Sequence, residues 1–447
     1  MTAVETSRQE QRDPICTGSI APLRQVMGGV ETLTKEALVD GREYLESWFE
    51  SLAEAEARAI AGEQTAVLLY AYRLSPAISP EGRLSEDTLL DQLKRLTESG
   101  CDVDVRLSHH LAGTPNHRAF GELVDAGIPV KWSPGTMRRA SHEKFCVIAT
   151  TSHVDLFTGS VDPWNPRWDD STHSYRNDSR YGRMIAPSHD LGIRLRLHGL
   201  NLVDDVRRGR LSSIWAAFRQ AGVDPIHRIG SDPSLFMQLT DLLKTASESI
   251  YIEDQYFLPD IHPMSGAGES LLDILKQQVS DGVNLTVVLP GPSRTCSVRR
   301  ILESRSEFMV KSLLTGLGEA ALKRVQVIGR RALDDESNDS RKLYVHSKLV
   351  AVDDRDAIIG SNNFTTRSIA YDSEFAVRIS DSTFVSGLKR RLLAEHVLGS
   401  DGRSGIEAFE GDRAMEASKC WVDLTGRKGR AGGLLTNFLF RYAIDPR

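Results

Sequence analysis

The chain has 447 residues, 40% apolar and 26% charged, with a formal net charge of −6. That length exceeds one ordinary core and points to two domains or one duplicated unit. The acidic balance disfavours a protein built to coat nucleic acid, while leaving room for a local basic pocket.

Residues 1–19 are polar and acidic, without the basic start and apolar run of a signal peptide, and the weakly periodic residues 1–30 are expected to form a loose arm. No run of about 18 apolar residues appears, so the expectation is a cytoplasmic protein, peripheral to a membrane at most. From 35 to 61, apolar residues recur at three- and four-residue spacing (Leu45, Trp48, Phe49, Leu52), which predicts one or two amphipathic helices. "TAVLLYAYRL" (65–74) predicts a buried strand. "LLDQLKRLTESGCDVDVRL" (89–107) predicts a helix capped at Gly100 and then a strand.

"LLDILKQQVSDGVNLTVVL" (271–289) aligns with that stretch without a gap. Leu89, Asp91, Leu93, Lys94, Gly100 and Val105 recur as Leu271, Asp273, Leu275, Lys276, Gly282 and Val287. Each copy follows an aromatic-rich strand and precedes a His-x-Lys pair, an order that predicts an internal duplication. The join is expected near 222–233, where Gly, Pro and Asp suggest a linker. "DVRRGRLSSIWAAFRQAG" closes the first half as a helix, and "FVSGLKRRLLAEHVLG" the second. The acidic run at 332–342 reads as a solvated loop. After Gly399 the chain reads as irregular, with a final "LLTNFLFRYAI" docking as a helix.

Five cysteines, odd in number and without a CxxC pair, show no zinc or redox motif and fit a reducing compartment. Cys146 reads as a packed strand residue. His109 and His110 read as a surface loop, and Tyr251, Tyr256 and Phe257 as core. For His189, a structural and a functional role both stay open.

On a strand, residues two apart share a face, so His142 with Lys144, and His346 with Lys348, are expected to project together. Two such pairs meeting across a pseudo-two-fold interface would surround one phosphate. That chemistry suits phosphodiester cleavage: one histidine attacks phosphorus, the other donates to the leaving oxygen and then activates the acceptor. Lysines, an asparagine and hydroxyls stabilise the non-bridging oxygens. No metal-ligand cluster with convincing spacing is visible, and the reaction needs no metal or other cofactor.

His346-x-Lys348-x4-Asp353-x6-Gly360-Ser361-x-Asn363 resembles the H-x-K-x4-D-x6-G-S-x-N signature of the phospholipase D superfamily. The first copy is similar to the variant of phospholipases D proper: His142-Glu143-Lys144, then Phe157-Thr158-Gly159-Ser160-Val161-Asp162, then Arg167-Trp168-Asp169. Further echoes are "SIYIEDQYF", "SHDLGIRLRLHG", "RSIAYDSEFAV" and "LLAEHVLG"; the resemblance spans about residues 35–399. It implies an α/β fold of two tandem, pseudo-two-fold related domains, each a mixed β-sheet flanked by helices. Their expected bounds are 31–224 and 225–399, followed by an extension at 400–447.

The resemblance also implies His142 as nucleophile and His346 as general acid and later base. Lys144, Lys348, Asn363, Ser361 and Ser160 would bind the substrate, and Asp190 and Glu374 would each orient one imidazole. Asp162 would meet a headgroup, a hydroxyl or a lysine. Ala149 stands where the first signature has its aspartate, a position that looks structural in the family. The expected substrate is a phospholipid of phosphatidylcholine type, with water or an alcohol as acceptor, transient contact with a membrane surface, no nucleic acid, and a monomer able to complete the site. A nuclease, a small-metabolite phosphodiesterase and a degenerate membrane-associated homologue are the alternatives.

Overall fold

The computed structural model describes residues 33–109, 116–133, 135–136, 139–174, 177–181, 186–263, 268–291, 297–334, 339–397 and 421–423. The expected arm at 1–30 and the terminal "LLTNFLFRYAI" lie outside them.

The first half contributes strands β1 (Leu33–Val39), β2 (Ala66–Ala71), β3 (Asp102–Ser108), β4 (Val130–Ser133), β5 (Phe145–Ala149), β6 (His153–Gly159), β7 (Ser188–His189) and β8 (Leu191–His198). The second contributes β9 (Val223–Arg228), β10 (Ser249–Glu253), β11 (Asn284–Pro290), β12 (Val325–Asp334), β13 (Asp339–Lys342), β14 (Tyr344–Val345), β15 (Leu349–Val352), β16 (Asp356–Gly360), β17 (Glu374–Ser380) and β18 (Trp421–Asp423). One sheet runs β1-β8-β6-β5-β2-β3-β4, and the other runs β9-β17-β16-β15-β10-β11-β12, with β13 and β18 added on β12. Strand for strand the two orders correspond. In each, the two links from β2 to β4, or from β10 to β12, are parallel and the other links are antiparallel. This is the mixed-sheet α/β architecture expected from the repeat.

Parallel neighbours need a crossover, and the duplicated stretch supplies it. Helices Leu89–Glu98 and Leu271–Ser280 bridge β2 to β3 and β10 to β11. Both begin with a reciprocal cap, Thr88 with Asp91 and Ser270 with Asp273. Both are followed by a glycine in the left-handed region, Gly100 at φ 89 and Gly282 at φ 109.

Three local expectations change. Residues 33–39 form β1 before the helix Asp40–Ile60, because "LTKEALV" alternates in burial and pairs with β8. The segment expected as a linker is β9, paired with β17. Its Pro225 is tolerated because β9 is an edge strand. The acidic run at 332–342 falls largely in the antiparallel pair β12–β13, with 335–338 outside the described residues.

The sheets share a central core in which Phe145, Val147 and Leu156 meet Leu349, Ile359, Phe375 and Val377. Phe145 and Phe375 lie 4.6 Å apart between ring centroids, and Trp215 and Phe375 4.7 Å. Separate cores fill the helix-covered outer faces, with Trp48 and Leu52 in one and Leu239 and Leu275 in the other. Cys146 is buried in β5, where desolvation pushes its thiol up to about 12. No helix among the described residues is long and apolar enough to cross a membrane.

Candidate active site

Two backbone links between the halves aim the motifs. The His142 N–H donates to the Ser373 carbonyl (2.8 Å) beside a parallel bridge between Ser141 and Ser373. β14 pairs in parallel with β7, and the His346 N–H donates to the His189 carbonyl (2.7 Å). Each motif is thereby laid against the residue that precedes the other half's carboxylate. His142 Nδ1 meets both oxygens of Glu374 at 3.0 Å, and His346 Nδ1 meets Asp190 Oδ1 at 2.7 Å. The assignment that sequence leaves open is therefore crossed. A carboxylate on Nδ1 keeps the proton there and leaves the Nε2 lone pair for chemistry.

The His-Lys pairs do not lie within strands. His142 and Lys144 precede β5, and His346 and Lys348 fall between β14 and β15. Each lysine amine turns back to its own histidine's carbonyl, Lys144 at 3.0 Å and Lys348 at 2.5 Å. All four side chains are buried. Burial, then Lys144, then Lys348 hold the His142 imidazolium well below the ordinary histidine range. Burial, Arg167 and Lys348 do the same to His346. Burial and the Lys144 charge bring Lys348 down to about 7. These influences cross the halves, so the four groups lie near enough to act on one another electrostatically.

The carboxylates differ. Burial raises Glu374 to about 7. For Asp190, burial acts upward, but His346 and Arg167 outweigh it and hold the group far below the carboxylate range.

Ser160 and Ser361, expected against the substrate, are committed elsewhere. Ser160 Oγ donates to Asp190 Oδ1 (2.7 Å), and Ser361 Oγ donates to Glu374. The glycine before each makes this possible. A Cβ on Gly159 would lie 2.3 Å from the Leu191 carbonyl oxygen, and one on Gly360 2.5 Å from that of Phe375. Only a bare backbone lets the strands close enough for the hydroxyl to reach the carboxylate. Asn363 Oδ1 accepts from Gln255 at 2.7 Å. Asp162 accepts the Arg73 N–H (3.0 Å) and lies 3.8 Å from Lys144 Nζ, so its charge is paired.

Asp353 lies away from the pocket. Its carboxylate accepts the N–H groups of Ser247, Glu248 and Ser249, each at 2.8 Å. Ala149, its counterpart, is fully buried in β5. His109 packs on His117 and Trp132, while His110 lies outside the described residues. Tyr251 and Phe257 are core.

Several contributors escaped the sequence reading. Tyr72 packs edge-on to His142 (4.5 Å, 68°), and Tyr344 stacks on His346 (5.6 Å, 24°). Asp254, raised by burial to about 7, faces Lys348 and accepts the Tyr256 and Phe364 N–H groups.

Beneath His346, donor atoms of Asp40, His173, His189 and Glu395 lie within 4.8 Å of one another, as do those of His189, Glu253 and His396. These are the described groups close enough to hold a metal. Each ring nitrogen of His173 and His189 already faces a carboxylate: Asp169 and Glu395 for His173, Asp40 and Glu253 for His189. The groups form one ion-paired network. Its outlying members lie in "SIYIEDQYF" and "LLAEHVLG", two stretches that carried the resemblance.

A family model described as "Cardiolipin synthase, PLD-like domain" matches residues 239–394. Phospholipase D zeta 1 and zeta 2 of Arabidopsis thaliana are 30% and 28% identical over 182 and 204 residues. Those matches cover 34% and 39% of this chain but only 17% and 19% of the relatives, less than a fifth of their length. Phospholipase D1 of Saccharomyces cerevisiae is 27% identical over 203 residues, 36% of this chain and 12% of its own. Among solved structures, phosphatidylserine synthase of Haemophilus influenzae Rd KW20 superposes with a TM-score of 0.52 at 14% identity, covering 81% of this chain and 86% of that one. At that identity the likeness is one of fold.

Proposed function

For a chain that belongs to the phospholipase D superfamily, we propose a phosphodiesterase that cleaves a phospholipid to phosphatidic acid and a free alcohol, or passes the phosphatidyl group to another alcohol. The crossed pairing of His142 with Glu374 and His346 with Asp190 carries this reading. On this reading the two imidazoles, each with Nδ1 occupied, share one phosphate with the two buried lysines.

His142 Nε2 attacks phosphorus, forming a P–N bond as the P–O bond to the headgroup breaks. His346, protonated in the substrate complex, gives its proton to the departing oxygen. Water or an alcohol then loses a proton to His346, attacks phosphorus and releases His142. Lys144, Lys348 and Asn363 hold the non-bridging oxygens, and Ser160 and Ser361 hold the carboxylates. Both acceptors compete for one covalent intermediate, so hydrolysis and transfer occur together. Net charge and the first-motif variant favour lipid over nucleic acid.

The test is a panel of labelled diacyl phospholipid, single-stranded DNA and bis-p-nitrophenyl phosphate, with acid quench to trap phosphohistidine. Headgroup release that His142→Ala abolishes is expected. No lipid turnover, or wild-type turnover in His142→Ala, would sink the proposal.

A further inference from the structure

The two histidines are held alike, but a guanidinium joins the His346 side. Arg167 comes from the short turn Asn165–Arg167 in the first half and is buried. Its Nη1 donates to Ser188 Oγ (3.1 Å); Ser188 Oγ donates to Asp190 Oδ2 (2.7 Å), and Asp190 Oδ1 holds His346. Its guanidinium carbon also lies 4.9 Å from the centre of the Tyr344 ring, which stacks on His346. A hydrogen-bonded route and a stacked route thus join one arginine to one imidazole. Arg167 Nε is buried with no hydrogen-bond partner among the described residues. Asp162, Asp190 and Tyr344 face the guanidinium, and its charge is felt at His346, Lys144 and Lys348. A buried guanidinium with an uncommitted N–H, beside two lysines, is suited to a phosphoryl oxygen.

We propose that Arg167 is a third phosphate-binding cation of this site, and that substrate charge, by engaging Arg167, lets His346 carry the proton it gives to the leaving oxygen. This rests on the phosphodiesterase reading above. Before an anion arrives, burial, Arg167 and Lys348 oppose a proton on His346, and Asp190 favours one. A phosphoryl group offsets both cations and leaves Asp190 to hold the imidazolium. The general acid is armed by the substrate it acts on.

The first test uses the wild-type chain with ¹³C-labelled histidine, the His346 signal assigned with His346→Gln, titrated with and without inorganic phosphate. His346 is expected to take up its proton at least one pH unit higher when phosphate saturates the site; no displacement overturns the proposal. The second compares Arg167→Gln with Arg167→Lys. For the glutamine variant, kcat/KM on phospholipid is expected to fall about 10- to 100-fold, the worth of a charge-assisted hydrogen bond. Its alkaline limb, which reports His346 in the free enzyme, should move to higher pH. Lysine should keep the limb at the wild-type position. A glutamine variant with the wild-type limb and less than threefold loss overturns the proposal. If that variant fails to fold, Arg167→Met is measured in its place, with the same loss and the same displacement of the limb expected. A chain that turns over no phosphodiester yet shows the phosphate-linked displacement refutes the reading of the reaction and the general-acid role with it, and upholds only the phosphate-linked protonation of His346.

Discussion

Replacing Glu374 with glutamine should cripple the enzyme and stabilise the fold, the second effect growing with pH. Glu374 is fully buried, and burial raises it from 4.5 to about 7. In the unfolded chain it ionises near 4.5. In the folded chain it keeps its proton until about 7. Between these values the folded state binds more protons, so stability falls as pH rises through the window, and the whole loss is present above about 7. The span corresponds to about 3 kcal/mol, of which roughly 2–3 kcal/mol develops between pH 5 and pH 8. Glutamine titrates nowhere and escapes that loss. Above about pH 7, where Glu374 is ionised, it also withdraws the anion from His142 Nδ1, held by both carboxylate oxygens at 3.0 Å. Turnover should drop about 10²- to 10⁴-fold, the usual worth of a positioned acid-base group. The assay is urea unfolding of both proteins at pH 5 and pH 8, with initial rates on phospholipid. An unfolding difference that stays the same at both pH values, or turnover within tenfold of wild type, would refute the reasoning.

Gly360→Ala puts a Cβ 2.5 Å from both the Ala376 Cβ and the Phe375 carbonyl oxygen. It should cost about 1–3 kcal/mol in urea unfolding and lower kcat by moving Ser361 off Glu374. Asp353→Ala should cost a similar amount, roughly 1–3 kcal/mol, by stripping the acceptor from three backbone N–H groups and leaving alanine at φ 52. Its turnover per folded molecule should match wild type, which active-site titration would show. Because Lys348 sheds its proton near 7, inhibition by inorganic phosphate should weaken between pH 6 and pH 9 in wild type. In Lys348→Met the inhibition should be weak throughout; a strong pH-independent constant in wild type would contradict the assignment.

What was legible in the sequence is what local chemistry writes. Capping residues, the Gly100 and Gly282 stops and the His-x-Lys pairs each depend on neighbours a few positions away, so the repeat and its two histidine–lysine pairs could be read. The crossed carboxylates could not, because they join residues 232 and 156 positions apart. The serines misled for a related reason: a hydroxyl beside a phosphate motif suggests a substrate ligand, and only the strand approach at Gly159 and Gly360 shows it bonded to a carboxylate. β1 merged with the following helix because seven alternating residues run straight into a helical period. β9 passed for a linker because an edge strand admits the proline that a central strand would reject.

On the proposed reaction, the exchange of carboxylates between the halves also makes the site bipartite in a strict sense. Neither half alone is a slower catalyst, because each would carry an imidazole without its anion and an anion without its imidazole. Activity is therefore a logical conjunction of the two halves. A lesion in one, such as loss of Glu374, silences the histidine borne by the other. Two chains with lesions in opposite halves could restore function only by forming one intact pair of sheets between them. The duplication leaves no spare copy of the site, and redundancy in sequence becomes dependence in chemistry.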